Sequence, residues 1–156
     1  MLVEKVSIRN FLSHRNTELE FREGVTAFIG PNGAGKSSIL DAISYALFKE
    51  HSRGRGLEGL VRRGAKTAEV SVQFRVGENR YLVVRRLSLA GKSVKGEAYL
   101  YLLEDGRQRL VARGEREVTG AIQKLLGIDK TVFLNAVYVR QGEIDRLVST
   151  QPAERK

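Results

Sequence analysis

The chain has 156 residues and a formal charge of +9, with 27 lysine and arginine residues against 18 aspartate and glutamate residues. Its 42% hydrophobic and 29% charged residues are typical of a folded domain rather than a disordered one, and the absence of cysteine excludes a disulfide framework or a thiolate zinc site. No apolar signal region opens the chain, and no run reaches the roughly 18 apolar residues of a membrane span. We therefore expect an intracellular protein with no membrane partner. Its compartment would be the cytoplasm or nucleoid of a prokaryote or the nucleus of a eukaryote.

Three short runs predict strands at the start of the chain, over residues 2–8, 17–21 and 25–29. The third is almost entirely apolar and is bounded by glycines, which is typical of a strand buried on both faces of an α/β sheet. Residues 37–48 have helical spacing, with Asp41 and Ser44 off the predicted apolar stripe, whose members are Ile39, Leu40, Ile43, Ala46 and Leu47.

A β-rich region follows a basic, glycine-rich segment at 51–66 that we interpret as a flexible loop. Alternation of apolar and polar residues predicts a meander of about four antiparallel strands over residues 68–112. Its turns are predicted at 77–79, at 91–96 and at Asp105–Gly106, where the dipeptide is a hairpin signal.

Helical spacing returns near the end of the chain. Residues 115–126 predict an amphipathic helix that ends at Gly127, and 131–137 predict a second short helix. We expect a strand end or loop at 138–142 and one more helical turn at 143–148. Pro152 suits the first turn of a further helix, so we expect the sequence to be truncated at the start of that helix.

The segment from Gly30 to Ser37 matches the phosphate-loop pattern G-x-x-x-x-G-K-[ST] at every fixed position, between a predicted buried strand and a predicted helix. Glycines let backbone N–H groups approach phosphate oxygens, and the positive end of the helix adds to the attraction. Lys36 is expected to contact the β- and γ-phosphates of ATP, and the Ser37 hydroxyl to ligate Mg²⁺. The alternative is a glycine-rich turn with an incidental lysine.

An acidic residue at the end of a second buried strand, which a P-loop ATPase needs for Mg²⁺ and water, is missing from the sequence. Glu104 comes closest, but the hairpin signal beside it favours a hairpin edge instead of a catalytic acid. We therefore expect half of a nucleotide site in this chain.

Three segments together closely resemble the N-terminal ATPase lobe of the Rad-fifty family of DNA double-strand-break repair ATPases, whose bacterial relative is SbcC. They are residues 6–14 (VSIRNFLSH), 30–38 (GPNGAGKSS) and 133–145 (FLNAVYVRQGEID). The resemblance implies an α/β fold of the P-loop, ABC-ATPase type, with a mixed sheet around the phosphate-loop helix and an antiparallel β meander. It makes residues 1–156 the N-terminal lobe of a split head, with a glutamine loop at 133–147.

The coiled coil and the C-terminal lobe that complete this head lie outside the chain, as does the family's zinc-binding hook. The resemblance further implies that two heads bind two ATP molecules between them, and that double-stranded DNA and an Mre-eleven type nuclease respond to that dimerisation. Isolated, the chain should bind nucleotide with little hydrolysis.

The resemblance assigns roles to residues of this sequence. Lys36 and Gln141 are the implied catalytic residues, and Ser37 and Gln141 the implied Mg²⁺ ligands. The implied nucleotide-binding residues are Asn32, Gly33, Ala34, Gly35, Lys36, Ser37, Ser38, Val61, Arg62, Arg63 and Gln141. Leu12 stands where some relatives have a basic nucleotide-contacting residue, so that contact is in doubt.

Two other functions stay open at this point. A structural-maintenance-of-chromosomes head usually has asparagine after G-K-S, where this chain has Ser38. A nucleic-acid-binding module with a vestigial phosphate loop is the third alternative.

Several residues also have non-functional interpretations. Gln141, Arg62 and Arg63 could be solvated surface groups, and His14 could cap a turn. Arg85 and Arg86 should face opposite sides of a strand, one of them on a basic surface with Lys92, Lys95, Arg107 and Arg109 that could equally be solvated. The aromatic residues of the meander are interpreted as core, namely Tyr81, Tyr99 and Tyr101.

Overall fold

The computed structural model describes residues 1–24, 36–53, 56–129 and 131–133. The described strands are β1 (Leu2–Phe11), β2 (His14–Glu20), β3 (Thr67–Val76), β4 (Asn79–Ala90), β5 (Ser93–Glu104) and β6 (Arg107–Arg113). The described helices are α1 (Lys36–Phe48) and α2 (Glu115–Leu126), with a single 3₁₀ turn at Glu58–Leu60. Predicted elements at 25–29, 138–142 and 143–148 lie outside the described residues.

All six described strands form one antiparallel sheet in the order β2-β1-β3-β4-β5-β6. The predicted meander is confirmed as β3 to β6, and β1 pairs with β3 so that the first hairpin extends the same sheet. The hairpin signal at Asp105–Gly106 is confirmed, because both residues have the positive φ (52° and 72°) that a type I′ turn requires.

One predicted turn is wrong in extent. The turn expected over residues 91–96 closes within Gly91 and Lys92, and β5 begins at Ser93. Gly96 is therefore a strand residue opposite Leu87. Its lack of a side chain is used for close approach, because a Cβ there would collide with the carboxylate of Glu115.

The core lies between one face of the sheet and the two helices. Alternate residues of each central strand point into it, such as Val70 and Val72 of β3 and Leu100 of β5. Helix α2 buries Val118 and Ile122 and ends at Gly127 in the left-handed conformation, as predicted. Its first residues carry Glu115 and Glu117 near the positive end of the helix dipole.

Helix α1 packs differently from the predicted stripe. Leu40 is 40% exposed, whereas Asp41 is fully buried and Ser44 is also buried. A charged residue is stable at such a position only when other groups satisfy it. Ser52 and Arg53, in the chain segment that follows the helix, donate hydrogen bonds to Asp41, and Arg53 also contacts the candidate site.

Candidate nucleotide-binding site

The described part of the phosphate site is the first turn of α1, which carries three of the residues predicted to bind nucleotide. Ser37 is exposed and Ser38 is buried. Lys36 opens the helix. The other predicted phosphate-loop residues, Asn32 to Gly35, and the predicted glutamine Gln141 lie outside the described residues.

The Ser37 and Ser38 hydroxyl groups both accept hydrogen bonds from Arg53. Its Nη2 lies 3.1 Å from Ser37 Oγ and 3.2 Å from Ser38 Oγ. The Nε of the same guanidinium lies 3.1 Å from Asp41 Oδ2. One arginine therefore joins a buried carboxylate to the two hydroxyls at the start of the helix.

Asp41 anchors the segment after α1 as well as Arg53. Ser52 donates to it twice, from the backbone N to Oδ1 at 2.8 Å and from Oγ to Oδ2 at 2.9 Å. Because residues three and four apart share one helix face, Asp41 lies below Ser37 and Ser38 on the side where residues 51–53 fold back. These hydrogen bonds explain why the Asp41 carboxylate is buried, although the sequence places Asp41 off the predicted apolar stripe of the helix.

Sequence analysis missed Arg53 as a site residue and counted it only among the charges of the basic loop. One signal was available, since Asp41 and Ser44 interrupt an otherwise apolar helix, and a buried acid there needs a basic partner. Several arginines of the loop could supply that partner, so the sequence alone does not select Arg53.

The donor set at the helix start fits Mg²⁺. Ser37 Oγ is an exposed hydroxyl oxygen and therefore a hard donor, whereas both oxygens of the buried Asp41 carboxylate accept hydrogen bonds from Ser52 and Arg53. Among the described residues no cluster of three or more histidine, aspartate or glutamate side chains could hold a metal ion. Mg²⁺ commonly uses few protein ligands together with substrate phosphates, which suits a single hydroxyl at this position.

The three predicted loop contacts, Val61 to Arg63, lie against the turn of the first hairpin. Val61 forms a bridge with Phe11 and its side chain is buried in the core. The Arg62 backbone N donates to Asn10 O at 2.7 Å, and Leu12 N donates to Leu60 O at 2.8 Å. Among the three, the side chains of Arg62 and Arg63 therefore keep access to a ligand, whereas that of Val61 is enclosed.

His14 begins β2 and pairs with Phe11 across the hairpin, and its Nδ1 lies 2.9 Å from Thr17 Oγ1. Its interpretation as a cap of the turn stays a prediction. Leu12, in the turn itself, has a positive φ of 52°.

The opposite end of α1 is held by a polar cluster that consists of Arg85, Tyr45, Thr119, Glu115 and Lys49. Arg85 and Tyr45 are buried, and the other three are half-buried. Arg85 is 1% exposed and donates from Nε to Ala46 O at 2.8 Å and from Nη2 to Thr119 Oγ1 at 2.7 Å. Lys49 Nζ pairs with Glu115 Oε2 at 2.7 Å. The guanidinium thus satisfies carbonyls at the negative end of the helix whose other end carries Ser37.

Ionisation in this cluster follows from its burial. Burial, reinforced by the Glu115 carboxylate, raises the pKa of Tyr45 well above its ordinary value, so the phenol stays neutral. Burial lowers the pKa of the Arg85 guanidinium, and Glu115 is among the groups that oppose this shift. The prediction that Arg85 and Arg86 face opposite sides is confirmed, because Arg86 lies exposed on the outer face beside Glu69.

The prediction that all three meander tyrosines belong to the core is wrong for two of them. Tyr81 is buried against Phe74, with ring centroids 5.6 Å apart. Tyr99 and Tyr101 lie partly exposed on the outer face, stacked with centroids 6.3 Å apart, and the Arg113 guanidinium lies 5.7 Å from the Tyr99 centroid. Even-numbered residues of β5 supply its core face instead.

The sheet with α1 packed on it, and the G-K-S-S sequence at the start of that helix, define an α/β P-loop lobe of the ABC-ATPase type. The chain belongs to the family described as an AAA domain, which matches residues 5–156. It is 42% identical over its whole length to the DNA double-strand break repair Rad50 ATPase of Thermoplasma volcanium, and 37% identical to that of Methanococcus maripaludis. The resemblance to the Rad-fifty family is thereby confirmed.

The chain spans 17% and 15% of the length of these two relatives, about a sixth of each protein. Among solved structures, a recombination mediator protein RecF with ATP superposes with a TM-score of 0.57 and 21% identity, over 69% of this chain and 27% of that one. This likeness supports the fold. In the part of the chain that the structure describes, no helix is long and apolar enough to cross a membrane.

Proposed function

We propose that the chain is the ATP-binding N-terminal lobe of a DNA double-strand-break repair ATPase. The observation that carries the proposal is the start of α1, where G-K-S completes the phosphate-loop sequence that begins at Gly30 and where Arg53, held by Asp41, positions the two serine hydroxyls. The match of the whole of this chain to part of a Rad50 ATPase supports the same function.

In this proposal Lys36 contacts the β- and γ-phosphates and Ser37 ligates Mg²⁺. Asn32 to Gly35 and Ser38 cradle the phosphates, and Arg62 and Arg63 approach the nucleotide from the loop. Gln141 completes the Mg²⁺ ligands and responds to the γ-phosphate. When bound, Mg²⁺ neutralises charge that develops on the phosphates, while the chain's own residues bind and orient the nucleotide.

The same proposal makes this chain half of an enzyme. A C-terminal lobe of the same ATPase would supply the catalytic acid that the sequence lacks, and a second head would close over the nucleotide. Double-stranded DNA and an Mre-eleven type nuclease are its proposed partners, inside the cell. Zinc at a coiled-coil hook is a proposal for the longer protein and involves no residue of this chain.

Isothermal titration calorimetry with ATP and Mg²⁺ tests the binding step. We expect saturable binding by the chain, and loss of it in Lys36→Ala because a mobile positive charge is removed from the phosphates. Lys124→Ala is the matched control, since Lys124 is an exposed helical lysine in α2, and its ATP affinity should equal that of the unmodified chain. Equal ATP affinity in Lys36→Ala and Lys124→Ala would contradict the proposal.

A further inference from the structure

Arg53 occupies the hydroxyl group that the proposed function assigns to Mg²⁺. Its Nη2 donates to Ser37 Oγ at 3.1 Å, and Arg53 is held there by its second bond to Ser38 and by the ion pair with the buried Asp41 carboxylate. The Arg53 side chain is 43% exposed, whereas the Asp41 side chain is fully buried. The described structure thus has a protein cation at the entrance to the proposed metal site.

Arg53 and Mg²⁺ are incompatible at this oxygen. A metal held by Ser37 Oγ would lie beside the guanidinium nitrogen that donates to the same oxygen, and a hydroxyl that gives electron density to a metal is a poorer acceptor for a cationic donor. Like charges at such distances repel, and most strongly where water is partly excluded. Metal ligation by Ser37 therefore requires Arg53 to release it.

The fold permits that release without loss of the anchor. The bond to Asp41 uses Nε, whereas the bonds to the serines use Nη2. Nε lies on the Cδ–Nε rotation axis and Nη2 lies off it, so rotation of the planar group about this bond moves Nη2 away from the serines and leaves Nε beside the Asp41 carboxylate. Ser52 holds Asp41 independently through its backbone N and its Oγ. The residues after α1 thus stay attached to the helix while the guanidinium moves.

We propose that Arg53 is an intramolecular cation that holds the Ser37 and Ser38 hydroxyls and that Mg²⁺ displaces it from Ser37 when nucleotide binds. This inference rests on the proposed function and adds a regulatory contact to the same site. It makes Arg53 a competitor of the metal, and it couples occupancy of the metal site to the position of residues 51–53.

The test is the factor by which Mg²⁺ strengthens ATP binding, measured by calorimetry as the ratio of the ATP dissociation constant in EDTA to that in saturating Mg²⁺. Arg53→Gln removes the competing charge, so the ratio should rise roughly 3- to 10-fold above that of the unmodified chain, the range expected for the loss of one ordinary, partly exposed hydrogen bond. Arg86→Gln, on the outer face, has the same charge change and should leave the ratio unchanged.

Arg53→Lys guards against a folding defect in the glutamine variant, because a lysine can keep the charge that Asp41 needs. A single ammonium lacks the separate Nε and Nη2 contacts, so this variant should also raise the ratio. An unchanged ratio in both Arg53 variants, or a fall, would overturn the inference. A rise caused only by weaker ATP binding in EDTA, with the dissociation constant in Mg²⁺ unchanged or larger, would also overturn it, because a competitor of the metal should strengthen binding in Mg²⁺ when it is removed. Failure of the unmodified chain to bind ATP under either condition would overturn the proposed function, and this inference with it.

Discussion

Replacement of the buried Arg85 by methionine should destabilise the fold markedly. The substitution keeps an unbranched apolar side chain but removes the donors to Ala46 O, Thr119 Oγ1 and Leu47 O, at 2.8, 2.7 and 3.5 Å. It also removes a positive charge that interacts with the Glu115 carboxylate, and the Oε1 atom of this carboxylate has no hydrogen-bond partner among the described residues. Both effects act on the end of α1 that packs on the sheet.

The magnitude follows from the number of charged hydrogen bonds. Two good bonds from a charged donor contribute about 1.5–3 kcal/mol each, and removal of the burial penalty of the guanidinium offsets part of this. We expect a net loss of about 3 kcal/mol in the free energy of unfolding, which lowers the Tm of a chain of this size by about 6–12 °C.

Urea denaturation followed by circular dichroism measures this loss as a shift of the midpoint at constant m-value. Arg86→Met is the matched control, because its partner Glu69 lies on the partly exposed outer face and such pairs contribute at most about 1 kcal/mol. Equal stability of Arg85→Met and Arg86→Met would refute the reasoning that the buried guanidinium secures α1.

Two further predictions concern pH and backbone conformation. Burial acts to raise the pKa of Glu4, but hydrogen bonds from Gln73 and Arg80 and the charges of Arg80 and Arg75 outweigh it, so the pKa is lowered. The contribution of Glu4 to the free energy of unfolding is therefore present above the unfolded-state pKa of about 4.3 and is lost as pH falls through the lower folded value. Glu4→Gln should reduce the pH dependence of the free energy of unfolding across that acid range. Gly114 precedes α2 with a φ of 107°, whereas Gly120 lies inside α2 with open space at its Cβ position. Gly114→Ala should cost about 1–3 kcal/mol and Gly120→Ala should add up to about 1 kcal/mol, with opposite shifts of the urea midpoint; shifts of one sign would contradict this assignment.

Elements with a local cause were predictable from the sequence. The apolar stripe of α2 and the glycine at its end define that helix without reference to the rest of the chain. The Asp105–Gly106 hairpin is similar, because two adjacent residues that tolerate positive φ determine the turn. The phosphate-loop sequence is also a local signal, but residues 30–35 lie outside the described part of the chain, so the role of the loop stays a prediction.

Features with a distant cause were not predictable in the same way. Tyr99 and Tyr101 alternate with Ala98 and Leu100, so both faces of β5 are apolar in sequence, and α2 decides which face is buried by packing on the even-numbered residues. The position of Asp41 inside the protein depends on Ser52 and Arg53, eleven and twelve residues later, which fold back over it. Arg53 became visible as a site residue only through that contact.

The central claim is that this chain holds the ATP-binding half of a split catalytic site. Phosphate release from ATP and Mg²⁺, measured on the isolated chain and again after addition of the C-terminal lobe of the same ATPase, tests it most directly. We expect the isolated chain to bind ATP and to release little phosphate. Hydrolysis should appear when the C-terminal lobe is added and should be lost in Lys36→Ala. Rapid phosphate release by the isolated chain, absent from its Lys36→Ala variant, would contradict the account.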